Sequence, residues 1–288
     1  MPNVVVNGTR LEYAEQGEGQ PVVFVPGGLG DLRDWENHLN FFSSKYRAIA
    51  LSCRGYYPNK ELGEDEKITL NTFVEDLAEF VRALDLAPVH LVGHSSPGGF
   101  GSLLLARREP ELLSSLVLAE PPAIPLLGVS IPPRPPQILK LMMRNPRLAV
   151  AFMKWGNGVR PAIKAFERGD DEQGVRNFVK ANAGPEAFAK LTNSRLQQMV
   201  ENARPLKAQL RAGFPPFSEQ DARSIQVPAL LVSGEKSSAI LRGVTDRLEK
   251  LLPDVERLNI QNASHNMYES DPETFNWGVM EFLEKHRD

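Results

Sequence analysis

The sequence predicts an α/β fold, a mostly parallel sheet with helices on both faces and an inserted helical lid. Three observations carry this reading. Short, wholly apolar runs alternate with stretches of helical period, the pattern of a parallel sheet buried on both sides. The alternation stops between residues 121 and 220, where helical segments follow one another with no clear strand. It then resumes to the C-terminus. The expected units are a first part of the core at 1–120, a lid at 121–220 and a second part of the core at 221–288. A chain of 288 residues is long enough for one large domain carrying an insertion.

The elements follow in order. Residues 4–7 and 10–15 flank Asn7-Gly8 and read as a hairpin. Residues 22–25, 46–51, 89–92, 116–119, 229–233 and 255–260 are short apolar runs of buried-strand type. Leu70, Val74, Leu77, Val81 and Leu84 fall on one helical face, as do Leu241, Val244, Leu248 and Leu251. A helix near 272–285 closes the fold. The interrupting stretch opens with Pro121, Pro122, Pro125, Pro132, Pro133, Pro135 and Pro136. Helical segments follow near 137–143, 146–155, 161–167, 171–181 and 193–212, the last expected to kink or divide at Pro205. Asp170 and Asp171 are good helix-start residues.

Composition narrows the function classes. Lys and Arg number 33 against 36 Asp and Glu, a formal charge of −3, so nothing points to a nucleic-acid surface. Cys53 is the only cysteine, which precludes an intrachain disulfide and fits a reducing compartment. The N-terminus lacks a basic region followed by an apolar one, so no signal peptide is expected and the location expected is cytoplasmic. No apolar run approaches the ~20 residues needed to span a bilayer. Neither a metal-ligand set nor a nucleotide fingerprint is evident, so no cofactor is expected.

The most informative stretch is Val89-His-Leu-Val-Gly-His-Ser-Ser-Pro-Gly-Gly-Phe, a buried strand, a serine-bearing turn and a helix start. Such a turn projects a hydroxyl beside a helix N-terminus, as a serine nucleophile requires. Two serines compete for the role. Counting from the strand selects Ser95, and counting back from Gly98-Gly99 selects Ser96. In this turn the N–H after the nucleophile stabilises the oxyanion. After Ser96 comes Pro97, which has no N–H. Ser95 is therefore the expected nucleophile, with Ser96 supplying a donor.

Val25-Pro-Gly-Gly-Leu-Gly is a glycine-rich loop at the end of the first core strand. Its glycines let backbone N–H groups approach an oxyanion, and Gly28 is the expected second donor. A phosphate loop is disfavoured because no Gly-Lys-Ser/Thr follows. Of the five histidines, His38, His90, His94, His265 and His286, only His265 falls in a loop after a late core strand. Open α/β sheets place their chemistry at such strand ends. His265 is the expected base, and His94, adjacent to Ser95, is expected to point elsewhere.

Almost end to end, the chain resembles the α/β-hydrolase superfamily. The residues that carry the likeness are Val-Val-Phe-Val-Pro-Gly-Gly at 22–28, Arg54-Gly55-Tyr56, Val-Gly-His-Ser at 92–95 and Ala-Ser-His at 263–265. The family usually has His-Gly where this chain has Pro26-Gly27. It often has Asp-x-Arg-Gly where this chain has Ser52-Cys53-Arg54-Gly55. The resemblance implies an eight-stranded sheet, a lid after the sixth strand and a Ser–His–acid triad. The usual acid position corresponds to Ser237, which cannot stabilise an imidazolium. Some relatives carry the acid after the preceding strand, where this chain has Glu120. Glu120 is favoured, with Glu235 second and Asp246 third.

Serine rather than aspartate at 95 disfavours dehalogenase and epoxide-hydrolase chemistry. The expected activity is hydrolysis of carboxylic esters or lactones of small to medium apolar substrates through an acyl-enzyme. Lid aromatics and the residues after His265 should supply an apolar pocket, with Trp155, Phe152, Phe214 and Met267 as candidates. A cofactor-independent dioxygenase and a ligand receptor remain as alternatives on the same fold. The oligomeric state is not legible.

Overall fold

A computed structural model describes residues 1–60 and 68–287. Its eight strands are β1 Asn3–Val6, β2 Thr9–Gln16, β3 Pro21–Val25, β4 Arg47–Leu51, β5 Val89–His94, β6 Leu113–Ala119, β7 Ala229–Gly234 and β8 Val255–Ile260. They form one sheet in the order β1-β2-β4-β3-β5-β6-β7-β8. β1 and β2 pair antiparallel at one edge, and every pairing from β4 to β8 is parallel. The hairpin, the eight strands and the parallel sheet all agree with expectation. The boundaries shift by three residues at most, chiefly where β6 begins earlier at Leu113.

Twelve α-helices lie among the described residues. Those of the core are α1 Glu36–Phe42, α2 Leu70–Ala83, α3 Gly98–Arg108, α10 Ala239–Glu249, α11 Met267–Ser270 and α12 Pro272–Lys285. The segment between β6 and β7 holds α4 Pro135–Arg144, α5 Pro146–Glu167, α6 Asp171–Ala189, α7 Asn193–Glu201, α8 Ala203–Ala212 and α9 Glu219–Arg223. Alternate residues of each strand face opposite sides. Val23, Val25, Leu91, Leu116 and Leu118 pack against α2, α3 and α10. Val22, Phe24, Val92, Val117 and Ala119 pack against α1 and α12. A third core, with Phe166, Val175, Leu196 and Leu206, lies within the helical segment and reaches Leu29 of the glycine loop.

Two helices depart from the sequence reading. The stretches 146–155 and 161–167 are one continuous helix, α5, with Pro161 inside it. Pro161 and Asn157 are both exposed, so water can satisfy the Asn157 carbonyl that the proline leaves unbonded. α6 runs past 181 to Ala189 because a turn at Gly184, φ 86°, lets two helical pieces join across Pro185. The stretch 193–212 divides at Asn202, and Pro205 falls in the first turn of α8, where its missing N–H is harmless.

Candidate active site

β5 ends in a turn too tight for side chains. A Cβ on Gly93 would lie 2.5 Å from the Gly98 carbonyl oxygen. The chain reverses at Ser95, whose φ of 50° is rare for a residue with a side chain. Two bonds hold that conformation. The Ser95 N–H donates to the Ala119 carbonyl at 2.8 Å, and the Phe100 N–H donates to the Ser95 carbonyl at 2.8 Å. Pro97 immediately precedes α3.

The glycine loop is fastened to the same turn. The Gly98 N–H donates to the Pro26 carbonyl at 3.0 Å, and Gly27 bridges Pro97. Because Pro97 has no N–H, the same bridge turns the Gly28 N–H toward the Ser96 carbonyl, while the Ser96 N–H makes no backbone hydrogen bond among the described residues. Both residues line the cavity that also contains Ser95 and His265. Backbone N–H donors beside a serine hydroxyl can hold a developing oxyanion.

Three polar side chains from separate strand ends meet here. His265 Nδ1 donates to Glu120 Oε2 at 2.7 Å. The Ser95 hydroxyl donates to His265 Nε2 at 3.0 Å. Glu120 stands immediately after β6 with φ 47° and is completely buried. Its other oxygen, Oε1, accepts from the Gly234 N–H at 3.0 Å. Its own N–H donates to Val232 at 3.1 Å. Both carboxylate oxygens are therefore engaged, which offsets the cost of burying the group.

The other candidate acids lie elsewhere. Glu235 is exposed and accepts from the Asn262 N–H at 2.8 Å. Asp246, on α10, pairs with Arg257 at 2.6 Å. Ser237 is buried, and its hydroxyl has no hydrogen-bond partner among the described residues.

His94 does not contact the Ser95 hydroxyl. It lies beneath His265, ring centroids 4.6 Å apart, and its Nε2 donates to the His265 carbonyl at 2.9 Å. Burial, aided by the neighbouring His265, holds its pKa well below the ordinary histidine value. A neutral His94 can keep that bond across the working pH range without adding charge beneath the site. Its contact with the His265 backbone was not legible, because adjacency to a nucleophile does not reveal a side chain's direction.

Two cavities meet at Gly28, Ser95, Phe178, Asn182 and His265. The larger is mainly apolar and is walled by Ile124, Ile131, Trp155, Leu206, Leu210, Phe214 and Ile240. Its polar walls are already paired. Asn182 accepts from Trp155 Nε1 at 3.0 Å, and Gln209 donates to the Tyr56 hydroxyl at 2.7 Å. The smaller is mixed in character, with Asp34, Arg195, Asn266 and Tyr268 in its lining. Arg195 binds Asp34 at 2.5 Å and also pairs with Glu269, tying α7 to the core. Burial pushes the Asp34 carboxyl up to about 6 against the pull of Arg195. Asp34 and Arg195 are 161 residues apart, and no local pattern announces such a pair.

Of the four expected pocket residues, Trp155 and Phe214 line the apolar cavity, while Phe152 and Met267 do not. Phe152 sits behind Trp155, ring centroids 5.9 Å apart, packed into the core and an outer groove. Met267 turns under the sheet into the cluster of Trp35, Val232 and Phe275. Both follow the general preference of large apolar side chains for the interior.

Comparison with known proteins agrees with the architecture. The family model described as alpha/beta hydrolase fold matches residues 20–272. The non-heme chloroperoxidase CPO-A1 of Kitasatospora aureofaciens is 25% identical over 285 residues, covering 97% of this chain and 98% of that protein. The (E)-2-((N-methylformamido)methylene)succinate hydrolase of Acinetobacter baylyi is 23% identical, covering 96% and 95%. A thermophilic esterase from Thermogutta terrifontis superposes with TM-score 0.77 at 19% identity over all of both chains.

Proposed function

This chain belongs to the alpha/beta hydrolase fold family, and from that premise we propose that it is a serine hydrolase of carboxylic esters or lactones. The observation that carries the reading is the unbroken relay from the Ser95 hydroxyl through His265 to Glu120. Ser95 Oγ attacks the substrate carbonyl carbon while His265 Nε2 takes its proton. The charge that develops on the carbonyl oxygen is met by the Gly28 and Ser96 N–H groups. Glu120 holds Nδ1 protonated, leaving Nε2 free to accept, and stabilises the imidazolium that forms. His265 then protonates the leaving alcohol. Water activated by the same imidazole cleaves the acyl-enzyme.

The apolar cavity suits an acyl or alkyl group of small to medium size, with Trp155 and Phe214 in its wall. The helices from α4 to α8 act as its lid. The junction between α7 and α8 carries the Asn202 side chain, which accepts from the Tyr57 N–H at 2.8 Å and donates to Asp31 at 2.8 Å. Gln209 of α8 faces the Ser96 hydroxyl. Labelling with a fluorophosphonate, followed by peptide mapping, tests the proposal together with turnover of a short para-nitrophenyl ester. An adduct on Ser95 and turnover lost in Ser95→Ala are expected. A binding receptor on this fold would show neither, and that result would overturn the reading.

A further inference from the structure

The helical segment carries a charge pattern that the catalytic reading does not use. From residue 121 to residue 166 there are seven cations and no carboxylate, in a chain whose formal charge is −3. The seven are Arg134, Lys140, Arg144, Arg147, Lys154, Arg160 and Lys164, and all are exposed. None makes an ion pair among the described residues, whereas Arg33, Arg47, Arg54, Arg82 and Arg257 elsewhere do.

The same two helices expose apolar side chains. Of the eight large hydrophobic residues exposed among those described, five are on α4 and α5: Leu139, Met143, Val150, Met153 and Ile163. Leu139 is 62% and Met143 73% exposed. On α4, Leu139, Lys140, Met143 and Arg144 fall at i, i+1, i+4 and i+5, one stripe of the helix. On α5, Arg147, Val150 and Lys154 share one face, while Met153, Arg160, Ile163 and Lys164 lie on the adjacent one. Beside Met153, Arg160, Ile163 and Lys164 opens an apolar groove that shares Ile131, Trp155 and Leu210 with the catalytic cavity.

We propose that α4 and α5 form a peripheral docking face for an anionic lipid bilayer. A predominantly cationic surface, with Glu167 at the end of α5 as the one acid of the two helices, studded with exposed aliphatic side chains, is complementary to acidic headgroups over acyl chains. An acidic protein surface would complement the cations but gives no reason for five exposed aliphatic side chains among them. No described helix is long and apolar enough to cross the bilayer, so the contact is interfacial. It places the wall of the catalytic cavity at Trp155 one side chain from the lipid surface.

Co-sedimentation with vesicles tests this. The protein should partition onto vesicles of mixed phosphatidylglycerol and phosphatidylcholine and leave pure phosphatidylcholine largely unbound. Salt at about 1 M, where the Debye length is about 3 Å, should weaken the binding strongly. The variant Lys140→Gln/Arg144→Gln/Arg147→Gln/Lys154→Gln should lose roughly a hundredfold in partition coefficient or more. Met143→Ser/Met153→Ser should lose affinity at any salt. All these positions are exposed, and unchanged ester turnover would report an intact fold. Failure of the wild type to bind anionic vesicles, or equal binding by the quadruple variant, would overturn the proposal.

Discussion

Glu120→Gln is the most exacting test of the relay, because the geometry leaves the amide no good orientation. The carboxylate accepts two hydrogen bonds in a fully buried site, from His265 Nδ1 at 2.7 Å and the Gly234 N–H at 3.0 Å. Glutamine has one acceptor oxygen. If its carbonyl faces Gly234, its NH₂ faces His265 and favours the tautomer with the proton on Nε2, which cannot accept from Ser95. If it is turned round, NH₂ meets the Gly234 N–H and two buried donors are left without acceptors, at about 1–3 kcal/mol. In both orientations the imidazolium loses its buried counter-charge. Removing one partner of a buried ion pair costs about 3–5 kcal/mol, and at 1.36 kcal/mol per decade that is roughly 10²–10⁴ in kcat. The assay is kcat and KM on a para-nitrophenyl ester, with Tm measured alongside. The expected result is a fall in kcat of that size, KM little changed, and a folded protein. A folded Glu120→Gln enzyme within about threefold of wild type would refute the argument, since even the 10²-fold lower bound is far larger.

Three further outcomes follow from the same geometry. Ser95→Ala should lose about three to six decades of turnover, while Ser96→Ala, which keeps its backbone N–H, should stay within about tenfold; the reverse order would move the nucleophile to Ser96. Gly27→Ala would place a methyl 2.7 Å from His94 Nδ1 and 3.2 Å from Ser95 Cβ, so kcat should fall by about 10²-fold through misplacement, and an unaltered kcat would remove the glycine loop from the argument. Asp34 has a carboxyl raised from 3.8 to about 6 by burial, so the folded state binds the extra proton and its contribution to stability falls as pH rises from about 4 to 6, by at most about 3 kcal/mol. Thermal unfolding of Asp34→Asn should therefore gain on wild type from pH 4 to pH 7, and parallel curves would contradict this.

Much of the architecture was legible because it rests on local signals. Apolar runs mark strands, the break in alternation marks the helical segment, and Asn7-Gly8 marks the hairpin. The side chains singled out at 95, 120 and 265 are the three that the fold brings within hydrogen-bond distance of one another. Each has a local signature: a turn whose proline lacks an N–H, an acid ending an apolar strand, and a histidine just after one. What escaped depends on direction or on long-range pairing. Phe152 and Trp155 are equally aromatic, and only packing decides which of them reaches the cavity. Nothing at Asp34 predicts Arg195, because the pair exists only once α7 lies over the glycine loop. The Pro161 and Pro185 helices show the limit of breaker residues when an exposed carbonyl or a glycine absorbs the defect.

The placement of the acid on β6 also sets an order of assembly. Ser95 and Glu120 end neighbouring strands that pair from Val89 to His94, while His265 follows Glu120 by 145 residues. Contacts close in sequence form with less loop-closure entropy than distant ones. The pairing that brings the ends of β5 and β6 together therefore costs less loop-closure entropy than the contacts that need β7 and β8. Without those two strands Glu120 lacks both the Gly234 N–H and the imidazole, and Ser95 has nothing to take its proton. On the proposed function, the relay is incomplete until the last strands close the far edge of the sheet.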